Sequence, residues 1–141
     1  MKAVMALTSK AVFYYSMTGN TKALIESCDT TGYAVFDLYE MALQEVDFRP
    51  YQTILLGTST IGDGFPHDIF KKLTAQLAGM NRKRIGLFGS GNSIYPRYCG
   101  ALDILEDFLR TRNEILFKFK FEGYPKRQVM EQFQQLLRDI S

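Results

Sequence analysis

Short apolar runs without polar alternation, separated by stretches of helical spacing, are the feature that most narrows what this chain can become. Residues 11–15 (AVFYY), 53–57 (TILLG) and 85–88 (IGLF) read as strands buried on both faces. YAVFDL at 33–38 reads as a further strand. Residues 21–28 predict a short helix with Leu24 and Ile25 inward. Ile69, Phe70, Leu73 and Leu77 place one continuous helix over 68–77, with Pro66 suited to its entry. An amphipathic helix over 98–110 sets Leu102, Leu105 and Leu109 on one stripe and Asp103, Glu106 and Asp107 outside. ILFKFKF at 115–121 alternates cleanly and predicts an edge strand with Lys118 and Lys120 facing water. A last helix over 126–140 presents Val129, Met130, Phe133, Leu136 and Leu137.

Strands alternating with helices imply right-handed crossovers and a parallel sheet covered on both faces. Five strands in this length suit an α/β, doubly wound sheet of order 2-1-3-4-5. The 141 residues predict a single domain over 1–141, with residues 1–10 an extension ahead of the first strand, either a frayed tail or a short targeting or docking tag. The 11 Phe and 8 Tyr exclude a disordered chain. No apolar stretch reaches the roughly 18 residues of a membrane helix, and the first residues are too short and polar for a secretory signal. Cys28 and Cys99 have no metal spacing, which points to a reducing cytosol. Residues 1–80 carry 6 Lys+Arg against 8 Asp+Glu, and residues 81–141 carry 11 against 7, so the net +2 is a basic C-terminal half on a slightly acidic N-terminal one. No dense basic run argues for nucleic acid, and the triplet Arg82-Lys83-Arg84 reads as a solvated loop.

In such a sheet, ligands bind beyond the carboxyl ends of the strands, at the switch point between strands 1 and 3. The segments leaving strands 1, 3 and 4 are all rich in small and hydroxylic residues. Ser16-Met17-Thr18-Gly19-Asn20-Thr21 offers hydroxyls and successive backbone N–H groups at a helix start, either a nest for a monophosphate or an ordinary helix cap. It lacks the lysine-bearing triphosphate motif. Thr58-Ser59-Thr60-Ile61-Gly62-Asp63-Gly64 sets an aspartate between glycines, giving a pliable backbone or a plain turn. The third segment, residues 89–100, holds Tyr95 and Tyr98 where a strand end meets a helix start, as a stacking platform or as surface cover.

S-M-T-G-N-T, T-S-T-I-G-D-G and G-S-G-N-S-I-Y…Y-C-G-A-L-D, in that order and each at a strand end, resemble the three flavin-binding loops of flavodoxins, in particular the short-chain branch. The resemblance implies non-covalently bound FMN and a low-potential electron carrier with no substrate of its own. It would shuttle single electrons through a semiquinone between a flavodoxin/ferredoxin reductase-type donor and an acceptor enzyme. It implies a cytoplasmic monomer. By position, Ser16, Thr18, Asn20 and Thr21 would hold the FMN phosphate, helped by the amides of Met17 to Thr21, Gly19 included. Tyr95 would stack on the outer face of the ring, and Ile61 would wall the inner face. Ser90, Gly91, Asn92 and Cys99 would line the pyrimidine end. Gly62–Asp63 matches the peptide that turns to meet the reduced ring nitrogen. Thr58, Ser59, Thr60, Arg97 and Tyr98 complete the expected set. The chain departs from the family in being basic, which implies a second reduction potential less negative than is usual there.

The nearest alternative is an NrdI-like flavoprotein serving the manganese ribonucleotide reductase, which the S-M-T-G-N loop and short first helix also suit. A phosphorylated signalling module fails for want of acids at the ends of strands 1 and 3. A small phosphatase fails because neither cysteine leads in six residues to an arginine.

Overall fold

The computed structural model describes residues 8–16, 19–59, 68–92, 94 and 99–140. Five parallel strands, β1 (Lys10–Tyr15), β2 (Tyr33–Asp37), β3 (Thr53–Ser59), β4 (Arg84–Gly91) and β5 (Glu114–Glu122), form one sheet in the order β2-β1-β3-β4-β5. The predicted order is the observed one. Helices α1 (Asn20–Glu26), α2 (Asp68–Lys72), α3 (Thr74–Ala78), α4 (Gly100–Leu109) and α5 (Arg127–Asp139) cover it, with two 3-10 turns at Leu38–Glu40 and Leu43–Glu45.

The apolar runs fold as their pattern demands. All seven residues of β3 are buried, because side chains from alternate positions go to cores on opposite faces. On one face Phe13, Ile54, Leu56 and Leu87 pack with Phe70, Leu73, Leu102 and Leu105 of α2 to α4. On the other, Val12, Leu55 and Phe88 meet Leu24 of α1 and Phe133 and Leu137 of α5. Each fully buried Leu or Phe contributes about 1.5–3 kcal/mol, more than a surface ion pair, so these two layers hold the strand ends in place.

The structure corrects two expectations. The continuous helix over 68–77 is interrupted at Leu73, whose φ of −94° and ψ of 10° leave the helical region. Beside the break the Thr74 hydroxyl donates to the Lys71 carbonyl at 2.6 Å, a side-chain bond that competes with the helical ladder. Phe70, Leu73 and Leu77 still reach the core.

Lys118 and Lys120, expected to face water, lie against α4. A bulge is the reason: Ile85 pairs with Ile115, but Gly86 pairs with Phe117, so Leu116 is an extra residue. The phase of the strand shifts there. Leu116, Phe117, Phe119 and Phe121 all join the α5 core. Lys118 Nζ then sits 2.6 Å from Asp103 and 2.8 Å from Glu106, and Lys120 Nζ sits 3.1 Å from Asp103. Two acids read as outward-facing are thus the lysines' partners.

Candidate functional site

The carboxyl ends of β1, β3 and β4 lie side by side at one edge of the sheet, and the chain order reverses between β1 and its neighbours β2 and β3. In open sheets of this kind ligands bind at that reversal, between the loops that follow the strands.

Ser16 leaves β1 and turns back on the start of α1, where its Oγ accepts the Lys22 N–H at 3.1 Å. The hydroxyl hydrogen of Ser16 remains to donate to a ligand. Gly19 begins the helix with φ +90°, a conformation that only glycine adopts cheaply. A side chain there would meet nothing within 4 Å, so conformation and not crowding requires the glycine. The Lys22 ammonium lies 3.8 Å from Asp37 at the end of β2. Tyr14 is buried, and burial together with the charge of Asp37 pushes its hydroxyl up to about 12. It stays neutral at any working pH.

The three loops meet at their roots through buried hydroxyls. Thr21 Oγ1 donates to the Thr58 carbonyl at 3.4 Å and lies 3.5 Å from Ser90 Oγ. Ser90 donates to Ser59 Oγ at 3.2 Å. Thr21, Ser59 and Ser90 are 0, 6 and 4% exposed. Among the described residues no acceptor takes the Ser59 hydroxyl hydrogen. A buried donor at the mouth of a crevice calls for a polar partner beyond the strand ends, since leaving it unmet costs about 1–3 kcal/mol. Strand β4 must come close for this contact to form. A Cβ on Gly89 would fall well inside the Thr58 carbonyl oxygen, so only glycine fits there.

The third loop is anchored by Cys99, which takes a left-handed φ of +51° at the start of α4. Its sulfur is buried against the carbonyls of Gly89 and Phe121, both at 3.6 Å. Gly91 packs on it, with room for no side chain, since a Cβ would lie 2.9 Å from the sulfur. The Cys99 thiol is thus turned into the sheet, and what the residue presents to the crevice is backbone. Asn92 is exposed, and its Oδ1 accepts the Ile94 N–H at 3.1 Å, closing a local turn. Thr21 likewise spends its hydroxyl on the neighbouring strand.

Ser16, Gly19, Asn20, Thr21, Thr58, Ser59, Ser90, Gly91, Asn92 and Cys99 are therefore gathered at one edge. Met17, Thr18, Thr60, Ile61, Gly62, Asp63, Tyr95, Arg97 and Tyr98 lie outside the described residues. Sequence reasoning missed the Ser16–Lys22 bond and the Thr21–Ser90–Ser59 contacts. The hydroxyl-rich strand ends were the only signal, and it does not say which hydroxyls meet.

A family model described as flavodoxin matches residues 12–123, which is most of the chain and includes all three loops. The chain belongs to the flavodoxin family. It is 33% identical over 128 residues to a protein named probable flavodoxin 2 of Bacillus subtilis, with 84% of this chain and 85% of that one covered. Among solved structures, oxidised flavodoxin 1 of Bacillus cereus superposes with a TM-score of 0.74 at 26% identity, covering 94% of this chain and 100% of that one. The flavodoxin of Fusobacterium nucleatum, solved with flavin mononucleotide bound, shares the fold at 13% identity with a TM-score of 0.69, covering 92% and 95%. Flavodoxins bind FMN and carry electrons between redox proteins, without a substrate of their own. FMN is accordingly the cofactor of this flavodoxin.

Proposed function

We propose that this flavodoxin holds FMN non-covalently in the crevice between the loops after β1, β3 and β4, and passes electrons one at a time between two partner proteins. The observation that carries this reading is the meeting of the three loop roots through Thr21, Ser90 and Ser59, at 3.2–3.5 Å. The residues present fit the group. The β1 loop offers a phosphate neutral hydroxyl and amide donors without a carboxylate among them. Ser59 offers a buried donor toward the polar atoms of a nucleotide.

Bound FMN supplies the redox chemistry, and the chain supplies binding, orientation and exclusion of water. Ser16, Thr18, Asn20 and the amides of residues 17–21 would hold the phosphate. Thr58, Ser59 and Thr60 would serve along the ligand's length. Ile61 and Tyr95 would wall the ring, Ser90, Gly91, Asn92 and the Cys99 backbone would border its pyrimidine end, and Gly62–Asp63 would offer a backbone carbonyl to the reduced ring nitrogen. Arg97 and Tyr98 would complete the set. The basic composition penalises negative charge on the reduced ring less, and so favours a second potential less negative than is usual in the family. We place the protein in the cytoplasm as a monomer. Its partners are a flavodoxin/ferredoxin reductase-type donor and one acceptor enzyme. No helix among the described residues is long and apolar enough to cross a membrane. The NrdI-like alternative draws no specific support from the relatives named above.

The test is the visible spectrum of the purified protein through stepwise anaerobic reduction. Bound-flavin bands that pass through a blue semiquinone are the expected result. A colourless protein that refuses added FMN overturns the reading.

A further inference from the structure

The opposite edge of the sheet carries a second concentration of chemistry, which the electron-carrier reading does not use. Arg84 opens β4 and Ser90 lies six residues on, so at about 3.3 Å per residue this edge is roughly 20 Å from the crevice. The triplet that reads in the sequence as a solvated loop is there joined by a second basic loop. Arg82 N donates to the Arg112 carbonyl at 2.8 Å, Lys83 N to Asn113 Oδ1 at 2.9 Å and Glu114 N to the Lys83 carbonyl at 2.9 Å. These bonds tie the turns before β4 and β5 together. Arg82 is held at φ +58°, an uncommon conformation for a side-chain-bearing residue. Arg82, Lys83, Arg84, Arg110 and Arg112 line an open cleft of about 530 Å³ whose lining holds one acid, Glu114, while Asp107 just outside it lies 3.8 Å from Arg110. Fixing so many like charges in one place costs free energy that an anionic partner recovers.

A second hollow of about 480 Å³ adjoins this cleft and shares Lys83 with it. Its lining is different in kind. Val46, Phe48 and Met80 are almost fully buried and form an apolar floor, while Glu45, Asp47 and Arg49 stand at the rim. Lys83 Nζ donates to the carbonyls of Tyr51 and Arg49 at 2.7 and 3.0 Å, which fixes the junction between the two hollows.

We propose that this edge is a docking groove for an extended acidic segment of a partner protein, with carboxylates on the arginines and an apolar side chain in the adjoining hollow. The mixed lining favours a peptide over a nucleic acid. Neither hollow carries an exposed aromatic on which a base could stack, and the apolar floor of the adjoining hollow suits a side chain and not a phosphate backbone. A lone small anion would leave the apolar half unused. Because the groove lies away from the cofactor crevice, it can tether a partner without covering the ring, and its failure would leave the assignment of the crevice standing.

The experiment uses the FMN-loaded protein and three labelled probes: a ten-residue Glu/Leu peptide, its Lys/Leu counterpart and a single-stranded oligonucleotide. Binding is followed by anisotropy and amide shifts at roughly 50 mM salt. The acidic peptide is expected to bind, with shifts confined to residues 44–52, 75–84 and 110–114. Arg82→Glu/Arg110→Glu should weaken it by about tenfold or more, whereas Arg127→Glu/Arg138→Glu, the same change in net charge on α5, should leave it within about threefold. Arg82→Gly gives the same direction of loss in a variant that the left-handed backbone tolerates, so unfolding cannot be the cause. No binding of the acidic peptide, equal weakening by the two charge reversals, shifts elsewhere, or an oligonucleotide bound as tightly at the same residues would each overturn the proposal.

Discussion

If the buried hydroxyls at the strand ends couple the three ligand loops, then Ser90→Ala should weaken both the fold and the cofactor. The Ser90 hydroxyl is 4% exposed and donates to Ser59 at 3.2 Å, while its 3.5 Å approach to Thr21 is at the limit of a hydrogen bond. Removing it deletes one sound bond and leaves the buried Ser59 oxygen short of its donor. One net bond of about 1 kcal/mol and partial desolvation of the stranded partner give an expected loss of about 1–2 kcal/mol for the apoprotein. Urea unfolding with an unchanged m-value reads that loss directly. The cofactor supplies the second readout. A loop set freed from one anchor must be ordered again on binding, so the dissociation constant for FMN should rise about three- to tenfold, equivalent to about 0.7–1.4 kcal/mol. Riboflavin, which lacks the phosphate, should weaken by the same factor, because Ser90 acts through the loops and not on the phosphate. A variant that is destabilised but binds both flavins as tightly as the parent refutes the coupling, and leaves Ser90 a structural residue only.

Ser16→Ala should behave in the opposite way: FMN binding weakens about tenfold, riboflavin binding changes little, and titration of the two flavins separates the cases. Gly89→Ala places a methyl group inside the Thr58 carbonyl, and should cost about 3 kcal/mol in urea unfolding while reducing FMN uptake with it. Asp103 is pushed up by burial but held below its ordinary value of 3.8 by the Lys118 and Lys120 ammonium groups, so its contribution is present above that value and is lost as pH falls through the lower folded-state value. Asp103→Asn, at a carboxylate 45% exposed, should therefore cost only about 1 kcal/mol at neutral pH, and urea midpoints of parent and variant should converge in acid.

The fold was legible because the apolar runs had one consistent explanation. AVFYY, TILLG and IGLF could satisfy two cores at once only as interior strands, and their order along the chain admitted few topologies. What stayed hidden was phase and interruption. FKFKF at 117–121 alternates, yet the extra residue Leu116 sends three phenylalanines to α5 and both lysines to the acids of α4. The apolar run Ile115-Leu116-Phe117 breaks the alternation at the bulge, but only the pairing of Phe117 with Gly86, where a Cβ would come within 2.5 Å of the phenyl ring, fixes which face each residue takes. The break at Leu73 was hidden for a related reason, because the apolar spacing that predicts a helix survives the kink unchanged.

The site shows a different limit. Composition points to three loops at one edge of the sheet, but residue type does not distinguish a side chain free to meet a ligand from one that builds the frame under it. Thr21 and Cys99 look like ligand residues from their positions in the motifs. In the structure the Thr21 hydroxyl is spent on Thr58, and the Cys99 sulfur on the carbonyls of Gly89 and Phe121. The two uses share one physical demand. Carbonyls near the strand ends accept these side-chain donors, and small hydroxylic or thiol groups reach them at little cost in volume. A loop rich in serine and threonine is therefore read as phosphate-binding for a sound reason, while only tertiary packing decides which of its hydroxyls are left to bind.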